Sequence, residues 1–179
     1  LTEHYYLANK LMKGFMGSAN IDTNSRLCMS SSVAGHRRAF GSDTVPGVYE
    51  DLFLADLVIL TGSNLAWCHP VIYQRLAAAK AERPEMKVVV IDPRRTMTCD
   101  IADMHLAIKP DGDVALFTGL LAHLAKGPTL DKAYIESHTQ GFEETVRTAS
   151  DISLASLVEA TGLSLAELDR KSTRLNSSH

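Results

Sequence analysis

The sequence contains no CxxC pair. Its three cysteines, Cys28, Cys68 and Cys99, stand far apart, so neither a zinc site nor a cysteine-ligated iron–sulfur cluster can be built from them alone. So sparse and odd a count fits a reducing compartment. No basic run or basic–aromatic pattern is present, and the net charge of -3 comes from both signs spread along the chain, which argues against a nucleic-acid partner. No apolar stretch approaches the length of a membrane span; the longest, around Leu57 to Leu60 and Val88 to Ile91, have the length of buried strands. HExxH is missing, as are GxGxxG and the P-loop pattern, which disfavours a histidine-held metal, an ordinary NAD site and an ordinary ATPase. The opening segment lacks a basic stretch followed by an apolar core, so no signal peptide is expected, and a chain that opens in mid-pattern on Leu1 reads as a fragment or processed product.

What is present is ordinary globular composition. With 179 residues, 45% of them hydrophobic and 22% charged, the chain can bury a real core. Tyr6, Leu7, Leu11 and Phe15 predict a helix over 5–16, ended by Gly14 and Gly17. Residues 18–29 read as a loop. A short helix follows over 30–40, with Ser30 or Ser31 as its cap and Gly41 past its end. The middle is the clearest part. Strands are expected at 57–61 and 86–91, with a weaker one at 104–109. A polar loop runs from Gly62 to His69, and Pro70 opens a helix over 70–82, stopped before Pro84. Asp113 caps a helix over 114–126 whose apolar face carries Val114, Phe117, Leu120, Leu121 and Leu124. Ser164 and Glu167 form a capping box.

Near-continuous apolar strands separated by a helix are the signature of a parallel sheet covered on both faces. The expected fold class is therefore α/β, a Rossmann-like parallel sheet flanked by helices over 50–126. A helical and loop segment precedes it (1–49) and a helical segment follows (127–170). Residues 171–179 (KSTRLNSSH) are polar and aperiodic, and read as a non-native tail.

Three polar segments follow the three strands: Thr61 to Cys68 (TGSNLAWC), Asp92 to Thr96 (DPRRT) and Asp111 to Asp113 (DGD). In an open parallel sheet, ligands bind outside the carboxyl ends of the strands. Gly62 lets backbone approach a ligand, Arg94 and Arg95 offer guanidinium forks to phosphate, and Asp92 and Asp113 accept from amino groups or ribose hydroxyls. The set suits a nucleotide, and plain polar loops suit it equally well on spacing alone. Cys28 lies just before a predicted helix start, with Arg26 nearby. By residue type it is a small buried hydrophobe; by setting it is a stabilised thiolate, either a metal ligand or a nucleophile.

Longer runs carry more. NKLMKGFMGSANIDTNSRLCMSSSVAGHRRAFG (9–41), DLVILTGSNLAWCHPVIYQR (56–75) and VVVIDPRRTMTCDIADMHLAIKPDGD (88–113), with the VALFTGLLAHL that follows, closely resemble the molybdopterin oxidoreductases of the nitrate reductase group. The resemblance covers residues 5 to about 145. It implies two molybdopterin guanine dinucleotides on one molybdenum, with a cysteine thiolate matching Cys28 as the protein ligand. It implies that Asn24 contacts the pterin. Thr61, Gly62, Ser63, Asn64, Leu65, Ala66, Trp67 and Cys68 match a loop that lies against the dinucleotide. Asp92, Pro93, Arg94, Arg95 and Thr96, with Asp111, Gly112 and Asp113, match the segments holding its nucleotide end. The implied reaction is nitrate to nitrite. The implied partners are an electron-donor protein or domain and the remainder of a larger multi-domain polypeptide, with no nucleic acid and no membrane span. Formate dehydrogenases resemble it less, since histidine usually follows their metal-binding residue and Met29 stands here. The wording is most similar to assimilatory, cytoplasmic enzymes; a periplasmic location follows if the parent is of the respiratory type.

The chain also departs from the family. Members are several-fold longer, and the cysteine cluster for their iron–sulfur centre is not in this sequence. The chain alone is therefore expected to be inactive and to expose surface that the parent buries.

Overall fold

A computed structural model describes residues 2–128 and 130–168. The tail expected over 171–179 lies outside the described residues. The chain divides into two compact units between Val48 and Tyr49.

The first unit is built from short local elements. Helix α1 (Thr2–Asn9) runs directly into a π-helical segment, Lys10–Phe15. The predicted helix over 5–16 thus starts earlier and changes its winding, and Gly14 lies within it rather than ending it. The chain leaves it through Gly17 at φ +66°. Tyr6, Leu7, Leu11 and Phe15 remain exposed, so their spacing marks a face that nothing in this unit buries. A 3₁₀ turn, Asn24–Arg26, is capped by the Thr23 side chain. Helix α2 (Ser30–Phe40) has the predicted span, and Gly41 closes it in the left-handed region. Its N-cap is Met29, with no side-chain cap bond, which corrects the expectation of a Ser30 or Ser31 cap.

The second unit is α/β. A three-stranded parallel sheet has the order β1 (Leu57–Thr61), β2 (Lys87–Ile91), β3 (Met104–Leu106). Leu57 pairs with Lys87, Thr61 with Ile91, and Ile91 with Leu106. The third strand is shorter than the predicted 104–109. Beyond Leu106, the Ile108 amide turns back to the Leu106 carbonyl and the Lys109 amide bonds Thr161, which takes both off the ladder.

Alternate side chains build two cores, as the period of a strand requires. On one face Val58, Leu60, Val88 and Val90 pack with Leu76 and Ala79 of α5 (Pro70–Glu82) and with Cys99. Pro70 sits in the first turn of that helix, as expected. On the other face Val89, Ile91, Leu106 and Ile108 pack with Leu163, Leu116 and Leu168. Helix α3 (Asp51–Leu54) precedes β1, and α4 (Leu65–Cys68) stands where a plain loop was expected.

Helix α6 (Asp113–Leu124) begins at the predicted cap, one residue early: Gly112 is the N-cap, while Asp113 Oδ1 accepts from the Val114 amide. Its expected apolar face is met in part: Val114 is 74% exposed, Leu120, Leu121 and Leu124 are half-buried, and Phe117 and Leu120 line an apolar cavity with Leu116 and Gly119. Gly119 allows close packing there, because a Cβ would lie 2.7 Å from Leu157 of α9 (Leu154–Thr161). Helices α7 (Lys132–His138) and α8 (Phe142–Ser150) lie between α6 and α9 in sequence. The Ser164–Glu167 capping box forms: the Glu167 amide donates to Ser164 Oγ, and the Ser164 amide donates to Glu167 Oε2. The apolar cavity, of about 560 Å³, lies between the second sheet face, α6 and α9. No residue of the strand-end loops lines it.

Candidate functional site

The ladder fixes where the site begins. The Gly62 amide bonds the Ile91 carbonyl and the Asp92 amide bonds the Leu106 carbonyl, so the first two loops leave the sheet at adjacent strand ends. Past Gly62 (φ +56°), Asn64 adopts φ +41°, a left-handed conformation that costs a non-glycine residue energy and that Asn tolerates better than most. Leu65 then anchors α4 in the core at 7% exposure. Ala66 is half-buried, while Trp67 and Cys68 are exposed.

The second loop is folded by Asp92. Its carboxylate is buried, and Oδ1 accepts from the Arg94 amide at 2.8 Å. That turn leaves Pro93, Arg94 and Arg95 exposed, and neither arginine makes a salt bridge among the described residues. His105 of β3 supports the turn from the side: Nε2 lies 2.8 Å from the Asp92 carbonyl, which can only accept, so Nε2 carries the hydrogen. Thr96 ends the loop and opens the 3₁₀ turn Met97–Ile101, whose Thr98 and Cys99 are buried.

The third loop is held from behind. Asp111 takes φ +65°, and Gly112 packs against the carboxyl end of α9, where a Cβ would meet the Ala160 carbonyl at 2.9 Å. Lys109 donates its amide to Thr161 and its ammonium to Glu159 carbonyl. The Asp111 and Asp113 side chains are exposed.

Three side-chain oxygens in the first two loops are buried without a partner: Ser63 Oγ, Asn64 Oδ1 and Thr96 Oγ1. Each costs the fold roughly 1–3 kcal/mol unless something supplies a hydrogen bond. No positional signal in the sequence sets these atoms apart from ordinary loop polars. Thr98 and His105, which hold the loops, were likewise not singled out, because their partners lie 32 and 13 residues away.

In the other unit, Cys28 is exposed and free, between the Asn24–Arg26 turn and α2. The Asn24 carbonyl accepts from the Leu27 and Met29 amides, and its side-chain amide donates to Met29 sulfur at 3.2 Å. Backbone bonds on both sides of Cys28 therefore fix its path. Among the described residues no three His, Cys, Asp or Glu side chains gather into a metal-binding group.

An open three-stranded parallel sheet flanked by helices, with polar loops at its carboxyl ends, two of them holding unpartnered buried oxygens, defines an α/β layer of the Rossmann type. A family model described as molybdopterin oxidoreductase matches residues 1–157, and the chain belongs to that family. It is 68% identical over 125 residues to a nitrate reductase of Klebsiella oxytoca, covering 70% of this chain and 14% of that protein. It is 54% identical over 171 residues to one of Shewanella frigidimarina, covering 94% and 18%. Relatives include a periplasmic enzyme from Desulfovibrio desulfuricans and an assimilatory one from Haloferax mediterranei. Among solved structures, acetylene hydratase from Pelobacter acetylenicus superposes with a TM-score of 0.74 at 26% identity, covering 90% of this chain and 22% of that one. The chain thus spans less than a quarter of the length of these proteins. No helix among the described residues is long and apolar enough to cross a membrane.

Proposed function

We propose that this chain is the part of a molybdenum-dependent nitrate reductase that gives the metal its cysteine ligand, Cys28, and holds a molybdopterin guanine dinucleotide on the loops 61–68, 92–96 and 111–113. The observation that carries the reading is the set of buried, unpartnered oxygens on Ser63, Asn64 and Thr96. They fit a ligand rich in amino and hydroxyl donors, and the free Arg94 and Arg95 fit its phosphates. Membership of the family implies the molybdopterin; the bis(guanine dinucleotide) form is our reading.

When bound, the metal in its sulfur-rich shell supplies the two-electron couple that turning nitrate into nitrite needs. The chain's own residues position and hold. Asp92, braced by His105, turns Arg94 and Arg95 outward, and Gly112 fixes Asp111 and Asp113 against α9. Cys28 offers a soft ligand from a backbone path fixed by Asn24. Electrons come from a donor protein or domain, and an iron–sulfur cluster belongs to the remainder of the parent polypeptide. We place the parent in the cytoplasm, as an assimilatory enzyme.

The test exploits a sign. Thr96→Val removes an orphaned oxygen, so it stabilises the cofactor-free full-length protein by about 1 kcal/mol while weakening its hold on the pterin. Melting of the cofactor-free form and pterin content of the purified enzyme measure the two. A variant that gains stability and keeps full pterin content contradicts the assignment.

A further inference from the structure

Helix α4 has an unusual cap. The first amides of a helix lack intrahelical partners, and an Asn at the N-cap ordinarily accepts from one of them. Asn64 occupies the N-cap here, yet its side chain makes no cap bond and Oδ1 is buried without a partner. The Ala66 amide is instead satisfied from outside the helix, by Thr98 Oγ1 at 3.1 Å. Thr98 is 1% exposed and sits on the 3₁₀ turn anchored by Cys99 in the core. The neighbouring Met97 adds to the clamp: its sulfur accepts from Trp67 Nε1 at 2.9 Å, and its carbonyl accepts from the Tyr73 hydroxyl at 3.2 Å.

We propose that Thr98 is a positioning residue that caps α4 in place of Asn64 and so keeps Asn64 Oδ1 free for the cofactor. This rests on the function proposed above. Without the Thr98 oxygen, the Ala66 amide loses its acceptor, and Asn64 at the N-cap carries an unpartnered one. The Asn64 side chain turns inward to cap that amide, and the ligand loses its contact. The fold gains a cap of its own and is little changed; the cofactor is held less firmly. A merely structural Thr98 gives the opposite pattern.

The experiment uses the full-length enzyme with Thr98→Val and Thr98→Ser. The readouts are the rate of pterin release after dilution and the melting temperature of the cofactor-free form. Thr98→Val is expected to release pterin about tenfold faster, the size of one lost hydrogen bond, with little change in melting. Thr98→Ser keeps the hydroxyl and releases at the wild-type rate. Wild-type release by Thr98→Val overturns the proposal, as does a fall in melting with unchanged release. If Thr98→Val does not fold, Met97→Leu carries the test. Met97 is 53% exposed, and losing its Trp67 contact is expected to speed release about threefold, while wild-type release overturns the clamp. A wild-type enzyme holding no molybdopterin refutes the function proposed above, whereas equal retention by loaded wild type and variant refutes only the role of Thr98.

Discussion

A partner can be missing or supplied for every polar side chain, and the two cases have opposite consequences here. Ser63, Asn64 and Thr96 have buried oxygens that the fold leaves unsatisfied. Asp103 is the contrary case. Burial disfavours its charge, but hydrogen bonds from Lys80 and the Val88 amide and the charges of Lys80 and Lys87 outweigh that and lower its pKa. A carboxyl ionised more readily in the folded than in the unfolded chain adds stability above the unfolded value, about 3.9, and loses it as the pH falls through the folded one. Asp103→Asn is therefore expected to destabilise the chain at neutral pH. The gap to wild type should shrink below about pH 4 in urea unfolding followed across pH. A gap independent of pH contradicts this account of Asp103. Little of this was legible in the sequence: Lys80 and Asp103 lie 23 residues apart, and nothing local pairs them.

Elements were read well where one local signal decides them. The β-branched run of β1, and Pro70 followed by alanine-rich helix formers in α5, gave the observed spans. Reading failed where tertiary contacts decide. Helix α4 depends on a left-handed Asn64 and a cap from a distant turn, and neither leaves a periodic mark. The face of α6 was read in part: Leu120, Leu121 and Leu124 are half-buried, but Val114 is exposed, because period alone does not tell how far along a helix a neighbour covers it; Gly119 against Leu157 marks the close contact. Gly112 has the same kind of role at the other end of that contact. Its φ of -80° suits any residue, so only space is at issue. The atoms a methyl would meet are backbone: the Ala160 carbonyl at 2.9 Å and the Lys109 carbonyl at 3.0 Å. Gly112→Ala should therefore force the 111–113 loop off α9 at a cost of about 1–3 kcal/mol, visible as a lower melting temperature. Unchanged melting would mean that α9 gives way freely and does not buttress the loop.

At the scale of the molecule, the α/β class was legible from the strand–helix–strand order, and the rule that parallel sheets bind at their carboxyl ends is what singles out the three loops proposed to hold the cofactor. Exposed apolar surface was also expected from the sequence, though not which residues carry it. Ile59 on the outer strand is 37% exposed, Tyr6 62% and Phe15 76%. These faces agree with a chain that spans less than a quarter of its relatives. The central claim of the proposed function is that Cys28 ligates the molybdenum of the full-length enzyme. The most direct test is X-ray absorption at the molybdenum edge of the full-length enzyme, wild type against Cys28→Ser. The account predicts that the variant keeps its pterin, loses one sulfur neighbour at the metal and no longer reduces nitrate. An unchanged sulfur count with wild-type turnover would contradict it.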